Sequence, residues 1–153
     1  MEKERGFEIA KGFEEKQVNM PMRKTKYSAG YDVEAIEDSV VPAFESGIKP
    51  SLIKTGLKAY MKDDEYLMLC NRSSNPFKKG LVMANSIGIV DKDYYGNPDN
   101  DGHFMFAFYN FSREEAKIKK GDVIGQAIFQ KYLIADDDSS EAERLGGFGS
   151  TSK

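Results

Sequence analysis

The chain has 153 residues, of which 40% are hydrophobic and 31% are charged, and this composition is typical of one folded domain. The formal net charge of −3 argues against nucleic acid as a partner, because phosphate neutralisation requires a basic face. The single cysteine excludes an intrachain disulfide, and the single histidine excludes a metal site built from several histidines.

These features also bear on where the protein works. One cysteine favours a reducing compartment, so we expect a cytoplasmic protein. The N-terminus is too charged for a signal peptide. The longest apolar run, Phe104–Tyr109, is far shorter than a membrane span, so we expect no membrane partner.

Short strand-like runs dominate the chain, and clusters of Gly, Pro, Asp and Asn separate them. This spacing predicts an all-β sandwich or barrel. The predicted strands are Phe7–Ala10, Tyr31–Ala35, Ser39–Val41, Leu52–Met61, Tyr66–Cys70, Gly80–Ala84, Ile87–Asp91, Phe104–Phe111 and Val123–Tyr132. The Phe104–Phe111 run is apolar at successive positions, which predicts a central strand covered on both faces. One short helix is predicted near Asn75–Lys79.

Two segments are unlike a core. Tyr94–His103 is rich in turn residues and predicts a loop. Ala135–Glu143 is acidic and lacks apolar periodicity, which predicts a solvated tether. Beyond the tether, three glycines surround Phe148, a pattern that predicts either a disordered terminus or a mobile arm that orders over a ligand. The predicted division is a β-barrel domain over residues 1–134 and a tether with a glycine-rich arm over residues 135–153.

Polar residues that follow or interrupt strands are the candidate site. Arg72 stands beside Ser73 and Ser74, a set of donors that suits a phosphate but is equally typical of a turn before a helix. Asn85 interrupts an apolar region and offers a donor and an acceptor, as an amide-like base edge requires. Asp91 ends a strand, where a carboxylate can orient and deprotonate water. The alternative for these last two residues is a hairpin turn.

The chain resembles the trimeric deoxyuridine triphosphate diphosphatase (dUTPase) family, because five short segments match that family's motifs in order. The segments are Ala29–Val33, Arg72–Ser74, Asn85–Gly96, Gly121–Gln126 and Arg144–Thr151. Some positions depart from the family pattern: Ser74 replaces Gly, Val123 replaces Arg, Gly125 replaces Ala and Leu145 replaces Gly. Extra residues follow the third motif, over Gly96–Phe104. None of these departures removes a group with chemistry.

The resemblance implies a jelly-roll-like β-barrel subunit in a homotrimer whose sites are shared between subunits. It implies Mg²⁺-dependent hydrolysis of dUTP to dUMP and pyrophosphate, which limits uracil in DNA and supplies dUMP for thymidylate synthesis. Asp91 would activate the water. The implied substrate-binding residues are Arg72, Ser73, Ser74, Asn85, Ile89, Val90, Tyr94, Gln126, Arg144, Phe148, Gly149, Ser150 and Thr151. Asp32 would hold Mg²⁺ through water.

Two alternatives remain at this point. The dCTP deaminases resemble this family and often carry Arg-Ser-Ser in the second motif, as this chain does at Arg72–Ser74. The pattern Asp91-Lys92-Asp93-Tyr94 favours the diphosphatase. The second alternative is a nucleotide-sensing regulatory protein that uses the same pocket without catalysis.

Overall fold

A computed structural model describes residues 1–45 and 47–148 of the chain. The described residues form ten strands, one short α-helix and one turn of 3₁₀ helix over Lys92–Tyr94. The strands are β1 (Gly6–Ile9), β2 (Tyr31–Glu34), β3 (Ser39–Val41), β4 (Ser51–Tyr60), β5 (Glu65–Asn71), β6 (Leu81–Met83), β7 (Gly88–Asp91), β8 (Phe104–Asn110), β9 (Ala116–Ile118) and β10 (Val123–Lys131). The α-helix, α1, is Asn75–Lys79. No helix among these described residues is long and apolar enough to cross a membrane.

Two four-stranded antiparallel sheets share one hydrophobic core. Their strand orders are β1-β4-β8-β6 and β2-β10-β5-β7, and β3 pairs with β9 in a separate ribbon. A single cluster of buried side chains joins both sheets, with Val33, Leu67 and Ala127 from one and Phe106 and Phe108 from the other. This arrangement confirms the predicted all-β, jelly-roll-like class.

The predicted strands all exist, with bounds that shift by at most one residue. Strand β9 was missed because its two apolar residues, Ala116 and Ile118, stand among charged ones; it forms because Ala116–Ile118 pairs with β3. Helix α1 occupies its predicted residues, with Pro76 in its first turn and Gly80 closing it at φ 67°.

Strand β8 corrects one expectation. It is central in its sheet, between β4 and β6, as predicted. Phe104, Phe106 and Phe108 are buried, but Met105 and Tyr109 on the opposite face are only half-buried. The prediction that both faces are covered is therefore wrong for the single chain.

His103 is buried beside β4 and accepts backbone hydrogen bonds from that strand. The register of β4 against β8 shifts between Lys54 and Leu57, and Gly56 adopts φ 72° there. The backbone N–H groups of Gly56 and Thr55 donate to His103 Nε2 at 2.9 and 3.3 Å. Burial, aided by the Lys54 charge, lowers the pKa of His103 to about 4. A neutral ring is required because a protonated Nε2 could not accept these bonds.

Candidate active site

The segment Asn85–Asp91 joins the two sheets. Strand β7 lies at the edge of its sheet and pairs with β5, with Asp91 opposite Tyr66. An edge strand leaves backbone N–H and C=O groups unpaired on its outer side, where a ligand can bind them. Asn85 lies in the preceding turn and is exposed. The hairpin alternative is wrong, because β6 and β7 belong to different sheets.

A cavity of about 220 Å³ opens beside β7. Seven residues of the predicted site line it: Asn85, Ile89, Val90, Asp91, Tyr94, Arg144 and Phe148. We call these seven residues the β7 cluster. Leu69, Phe104 and Met105 add apolar surface to the wall. The wall therefore combines apolar surface with several polar groups, and a small-molecule site needs both.

Tyr94 is buried beneath the loop that follows it. Its hydroxyl donates to the carbonyl oxygen of His103 at 3.0 Å and accepts from Asn100 Nδ2 at 2.8 Å. These two bonds fix the ring, which lies 5.7 Å from the Arg144 guanidinium. The ring therefore forms a rigid wall of the cavity.

Arg144 holds two carboxylates of its own chain. Its Nη2 donates to Asp91 Oδ2 at 2.9 Å and its Nε donates to Asp93 Oδ1 at 2.8 Å. The Arg144 side chain is only 10% exposed, whereas the two carboxylates are more than half exposed. The candidate catalytic carboxylate is thus paired with a cation from the C-terminal arm.

Phe148 lies at the mouth of the cavity and is 73% exposed. Its ring has room to cover a ligand that fills the cavity. Three further predicted binding residues, Gly149, Ser150 and Thr151, lie outside the described residues. The tether before the arm is exposed from Ala135 to Glu143, which agrees with its predicted solvation.

The remaining predicted residues meet on the other half of the same sheet. Gln126 on β10 lies opposite Asp32 on β2 and opposite Cys70 on β5, immediately before the Asn71–Ser74 segment. Strand register therefore brings residues of the first, second and fourth motifs close together, although they are far apart in sequence. We call Asp32, Arg72, Ser73, Ser74 and Gln126 the β10 cluster.

Glycine at position 30 makes room for Gln126. A Cβ on Gly30 would lie 2.1 Å from Gln126 Oε1, which no real structure tolerates. Gln126 Nε2 in turn donates to the carbonyl oxygen of Asn71 at 3.3 Å. Gly30 thus positions a polar group of the fourth motif, a link that sequence order does not reveal.

The donors of the second motif have few partners. Arg72 is exposed, and its Nη1 makes one long contact of 3.4 Å with the carbonyl oxygen of Val123. Ser74 is at the N-cap position of α1, but its hydroxyl makes no capping hydrogen bond. A helix cap therefore does not account for the Ser74 hydroxyl, which is available to a ligand.

Asp32 is the predicted metal-associated residue. Its Oδ2 is buried and has no hydrogen-bond partner among the described residues. Lys24 Nζ lies 3.3 Å from this oxygen without hydrogen-bond geometry. The described residues contain no group of three or more His, Cys, Asp or Glu side chains that could hold a metal ion by themselves.

The two clusters do not meet within one chain. Asp91 pairs with Tyr66 at one end of β5, whereas Arg72 follows the other end. Tyr66 and Arg72 are six positions apart along extended chain, a distance of about 20 Å. None of the β10 cluster residues lines the 220 Å³ cavity.

Sequence reasoning missed the residues that support the cavity. The loop after Tyr94 contains the buried polar residues Asn97 and His103, and the carboxylate of Asp99 accepts a hydrogen bond from Gly147 N at 2.7 Å. The density of Asn, Asp and Gly between positions 96 and 102 was the available signal. This density predicts a loop, but it does not predict that polar side chains of the loop are buried, because a buried loop has no periodic sequence pattern.

The comparisons with known proteins agree with this arrangement. The dUTPase family model matches residues 16–152. The deoxyuridine 5'-triphosphate nucleotidohydrolase of Lactococcus lactis is 50% identical over 96% of this chain and 97% of its own length.

Solved structures give the same answer. The dUTPase from Streptococcus mutans superposes with a TM-score of 0.79 at 38% identity, over 86% of this chain and 98% of that chain. A mutant dUTPase from phage phi11 of S. aureus, whose structure contains a structural Mg(II) ion, shares the fold with a TM-score of 0.70 at 19% identity, over 92% and 98% of the two chains. By its sequence, its fold and the order of its site segments, the chain belongs to the dUTPase family.

Proposed function

We propose that the chain hydrolyses dUTP to dUMP and pyrophosphate, with Asp91 directing water at the α-phosphorus. The carrying observation is the position of Asp91: it ends an edge strand at a cavity that also holds Asn85, Tyr94 and Phe148. One cavity thus combines a carboxylate, a polar amide and two aromatic rings. This reaction is the one for which the family's named relatives are known.

The β7 cluster binds the nucleoside. Uracil presents an amide-like edge, which the unpaired backbone groups around Ile89 and Val90 and the Asn85 side chain can satisfy. The fixed ring of Tyr94 packs against the sugar and leaves no space for a ribose 2′-hydroxyl. Phe148 closes over the base, since base–aromatic stacking contributes about 1–3 kcal/mol.

The β10 cluster binds the phosphates. Arg72 provides a planar fork of donors, and Ser73, Ser74 and Gln126 provide short neutral ones. We assign the same task to Gly149, Ser150 and Thr151 of the arm. Among the described residues, few protein groups compete for Arg72, Ser74 and Gln126, so binding phosphate there requires little rearrangement.

Arg144 changes partner during the reaction. In the chain alone it pairs with Asp91 and Asp93. The triphosphate carries more negative charge than these carboxylates and draws the guanidinium to itself. Asp91 is then released to hold the attacking water. The Asp91 carboxylate accepts the proton that this water loses as it attacks.

The residues present fit Mg²⁺ held mainly by the substrate. Mg²⁺ keeps several water ligands and binds few protein carboxylates when a triphosphate is available. The unsatisfied Oδ2 of Asp32 can accept a hydrogen bond from a metal-bound water. The ion, when bound, offsets charge on the triphosphate.

Complete sites require more than one chain, and we propose a homotrimer. The two clusters of one chain are separated by the length of β5, so they cannot bind the same phosphate. A second chain can place its β10 cluster against the β7 cluster of the first. The half-buried apolar residues Met105 and Tyr109 on β8 provide surface for such contacts.

Co-expression of two impaired chains tests the shared site. Chains with Asp91→Asn and chains with Arg72→Ala are separately tagged, and mixed assemblies are purified. In the purified mixed trimers about a third of the sites should be native, because each site takes the two residues from different chains and one of the three interfaces then combines the two intact residues. No recovery in verified mixed assemblies would contradict the proposal, as would a fully active monomer in light scattering.

Product identification tests the reaction itself. The protein is incubated with dUTP, dCTP, dTTP and UTP in the presence of Mg²⁺. We expect dUMP and pyrophosphate from dUTP and little product from the others. Tyr94→Ala should improve UTP relative to dUTP. Ammonia release from dCTP would instead support the deaminase, and binding of dUTP without any product would support a sensor.

Two further assignments belong to this proposal. We assign residues 1–134 to the catalytic barrel and residues 135–153 to the tether and arm, supported by the exposure of Ala135–Glu143. We place the enzyme in the cytoplasm, because one cysteine suits a reducing compartment. Truncation after Glu143 should leave the barrel folded, as measured by circular dichroism.

A further inference from the structure

The loop Gly96–Gly102 supports the Tyr94 ring through Asn100, but most of its polar groups have no role in the reaction described above. It is nevertheless well organised by its own polar groups. Asn97 Nδ2 donates to the carbonyl oxygen of Tyr94 and to Asn100 Oδ1, both at 2.7 Å, and Asn97 Oδ1 accepts from two backbone N–H groups. Asn97 itself is buried. Such internal bonding produces a defined surface instead of a mobile connection.

The loop is also attached to the barrel and to the cavity wall. The Asp101 carboxylate accepts from Lys58 Nζ at 2.8 Å and from Lys11 N at 2.9 Å. Asn100 donates to the Tyr94 hydroxyl at 2.8 Å. The loop therefore occupies a fixed position next to the cavity.

The C-terminal arm binds this surface through Gly147. Gly147 N donates to Asp99 Oδ2 at 2.7 Å, and the glycine is buried. A Cβ on Gly147 would lie 3.0 Å from Asn97 Oδ1 and 3.2 Å from Asn100 Cγ, closer than side chains normally approach. Glycine is thus the residue that best fits the contact.

The arm has a second anchor three residues earlier, where Arg144 pairs with Asp91 and Asp93. These two ion pairs must break when Arg144 moves to the triphosphate. The Asp99 anchor involves no group used by the nucleotide and can persist. Since three residues span at most about 11 Å, an arm held at Gly147 keeps Arg144 near the cavity throughout.

We propose that the Gly96–Gly102 loop is the docking site of the C-terminal arm and that Asp99 is its positioning residue. Asp99 holds the Gly146–Gly147 backbone so that Arg144 can exchange partners and Phe148 can close while the arm stays in place. This inference rests on the proposed function for its kinetic consequence, but the docking itself can be measured without turnover.

Limited trypsin digestion tests the docking. Cleavage after Arg144, measured by mass spectrometry of the full-length protein without nucleotide, reports an undocked arm. Asp99→Ala should accelerate this cleavage about 10-fold, the usual effect of losing a hydrogen bond to a charged group. Asp99→Asn retains an acceptor and should stay near the native rate. Gly147→Ala should match Asp99→Ala, and the two changes together should not add.

A matched control separates docking from general loosening. Glu115 is exposed and makes no side-chain hydrogen bond or ion pair among the described residues. Glu115→Ala should leave cleavage unchanged. Thermal unfolding should be the same for all of these variants, because the arm is peripheral to the core. Native cleavage rates in Asp99→Ala would overturn the proposal.

Kinetics with dUTP and Mg²⁺ test the consequence. Asp99→Ala should lower kcat/KM about 10-fold in the full chain. In chains truncated after Glu143, the same substitution should have no effect on the residual activity, because the arm is gone. An equal loss in full-length and truncated chains would show that Asp99 acts without the arm. Failure of dUTP hydrolysis altogether would remove the proposed function and leave the digestion result standing.

Discussion

The β7 cluster and the β10 cluster differ in what their polar side chains contact in the chain alone. In the β7 cluster, Arg144 pairs with Asp91 and Asp93, and Tyr94 is held by Asn100. In the β10 cluster, Arg72 and Gln126 make, within the described part of the chain, only contacts of 3.3 to 3.4 Å with backbone carbonyls. One half of the site is therefore occupied by its own arm, and the other is open. Substrate must displace groups at β7 but can bind directly at β10.

The largest expected effect distinguishes chemistry from binding. Asp91→Asn should lower turnover by about 10²-fold or more, because a positioned base contributes on that scale. Nucleotide binding should survive, since the β10 cluster is intact. Pyrophosphate release measures turnover, and titration with a non-hydrolysable dUTP analogue measures binding. Near-native turnover would remove Asp91 from the role of base.

The support of the β7 cluster should depend on pH through His103. Its pKa is about 4 in the folded chain and about 6.5 in the unfolded chain, so the unfolded state binds the proton more readily. Stability is intact above pH 6.5 and declines as pH falls towards 4, by at most about 3 kcal/mol.

Urea unfolding at pH 7 and pH 5 measures this effect. His103→Gln should weaken the pH dependence between pH 5 and 6.5, a range in which most carboxylates are already ionised. An unchanged dependence in that variant would mean that other groups control stability there.

In the open cluster, removal of a charged donor should affect binding. Arg72→Ala should lower kcat/KM about 10- to 100-fold, the range for hydrogen bonds to charged groups. The fold should be unaffected, because Arg72 is exposed and makes one long contact. Arg72→Lys retains the charge without the planar fork of donors, so its kcat/KM should lie between those of the native protein and Arg72→Ala. Steady-state kinetics and circular dichroism provide the two measurements; a native kcat/KM in Arg72→Ala would exclude the phosphate role.

The smallest expected effect concerns how β10 places Gln126. Gly30→Ala inserts a Cβ 2.1 Å from Gln126 Oε1 and should force the side chain out of position. Losing one hydrogen bond from an uncharged donor to phosphate should lower kcat/KM about 10-fold, the lower end of the range for bonds to charged groups. Gln126→Ala should have a similar effect, and the double variant should be no worse than either single one. Additive losses would mean that Gly30 acts elsewhere.

Local sequence patterns were sufficient for most of the fold. Alternating apolar runs located nine of the ten strands, because strand periodicity is set by neighbours in sequence. The three-residue β9 gave no such pattern. The coverage of β8 was misjudged, since composition shows that a face is apolar but not whether the same chain covers it.

The candidate site was predicted unevenly. Motif order located the β7 cluster residues, and the structure brings all seven to one cavity. The sequence did not show that Asn85 is exposed in a crossover between sheets, because strand pairing is a tertiary choice. The supporting role of the loop could not be predicted from the sequence either. Asn97 and Asn100 are common turn residues, and only the folded chain shows which groups their side-chain amides bond.

By itself, the sequence determined the strand-rich class, the acidic tether and the five ordered segments, because each depends on residue type and local spacing. Tertiary structure alone decided which segments meet. Register placed Gln126 opposite Asp32 and left Asp91 at the far end of β5 from Arg72. Packing of the arm against the loop after Tyr94 also joined Gly147 to Asp99 across 48 residues. Contacts of this kind follow from strand pairing and close backbone packing, which no local pattern encodes.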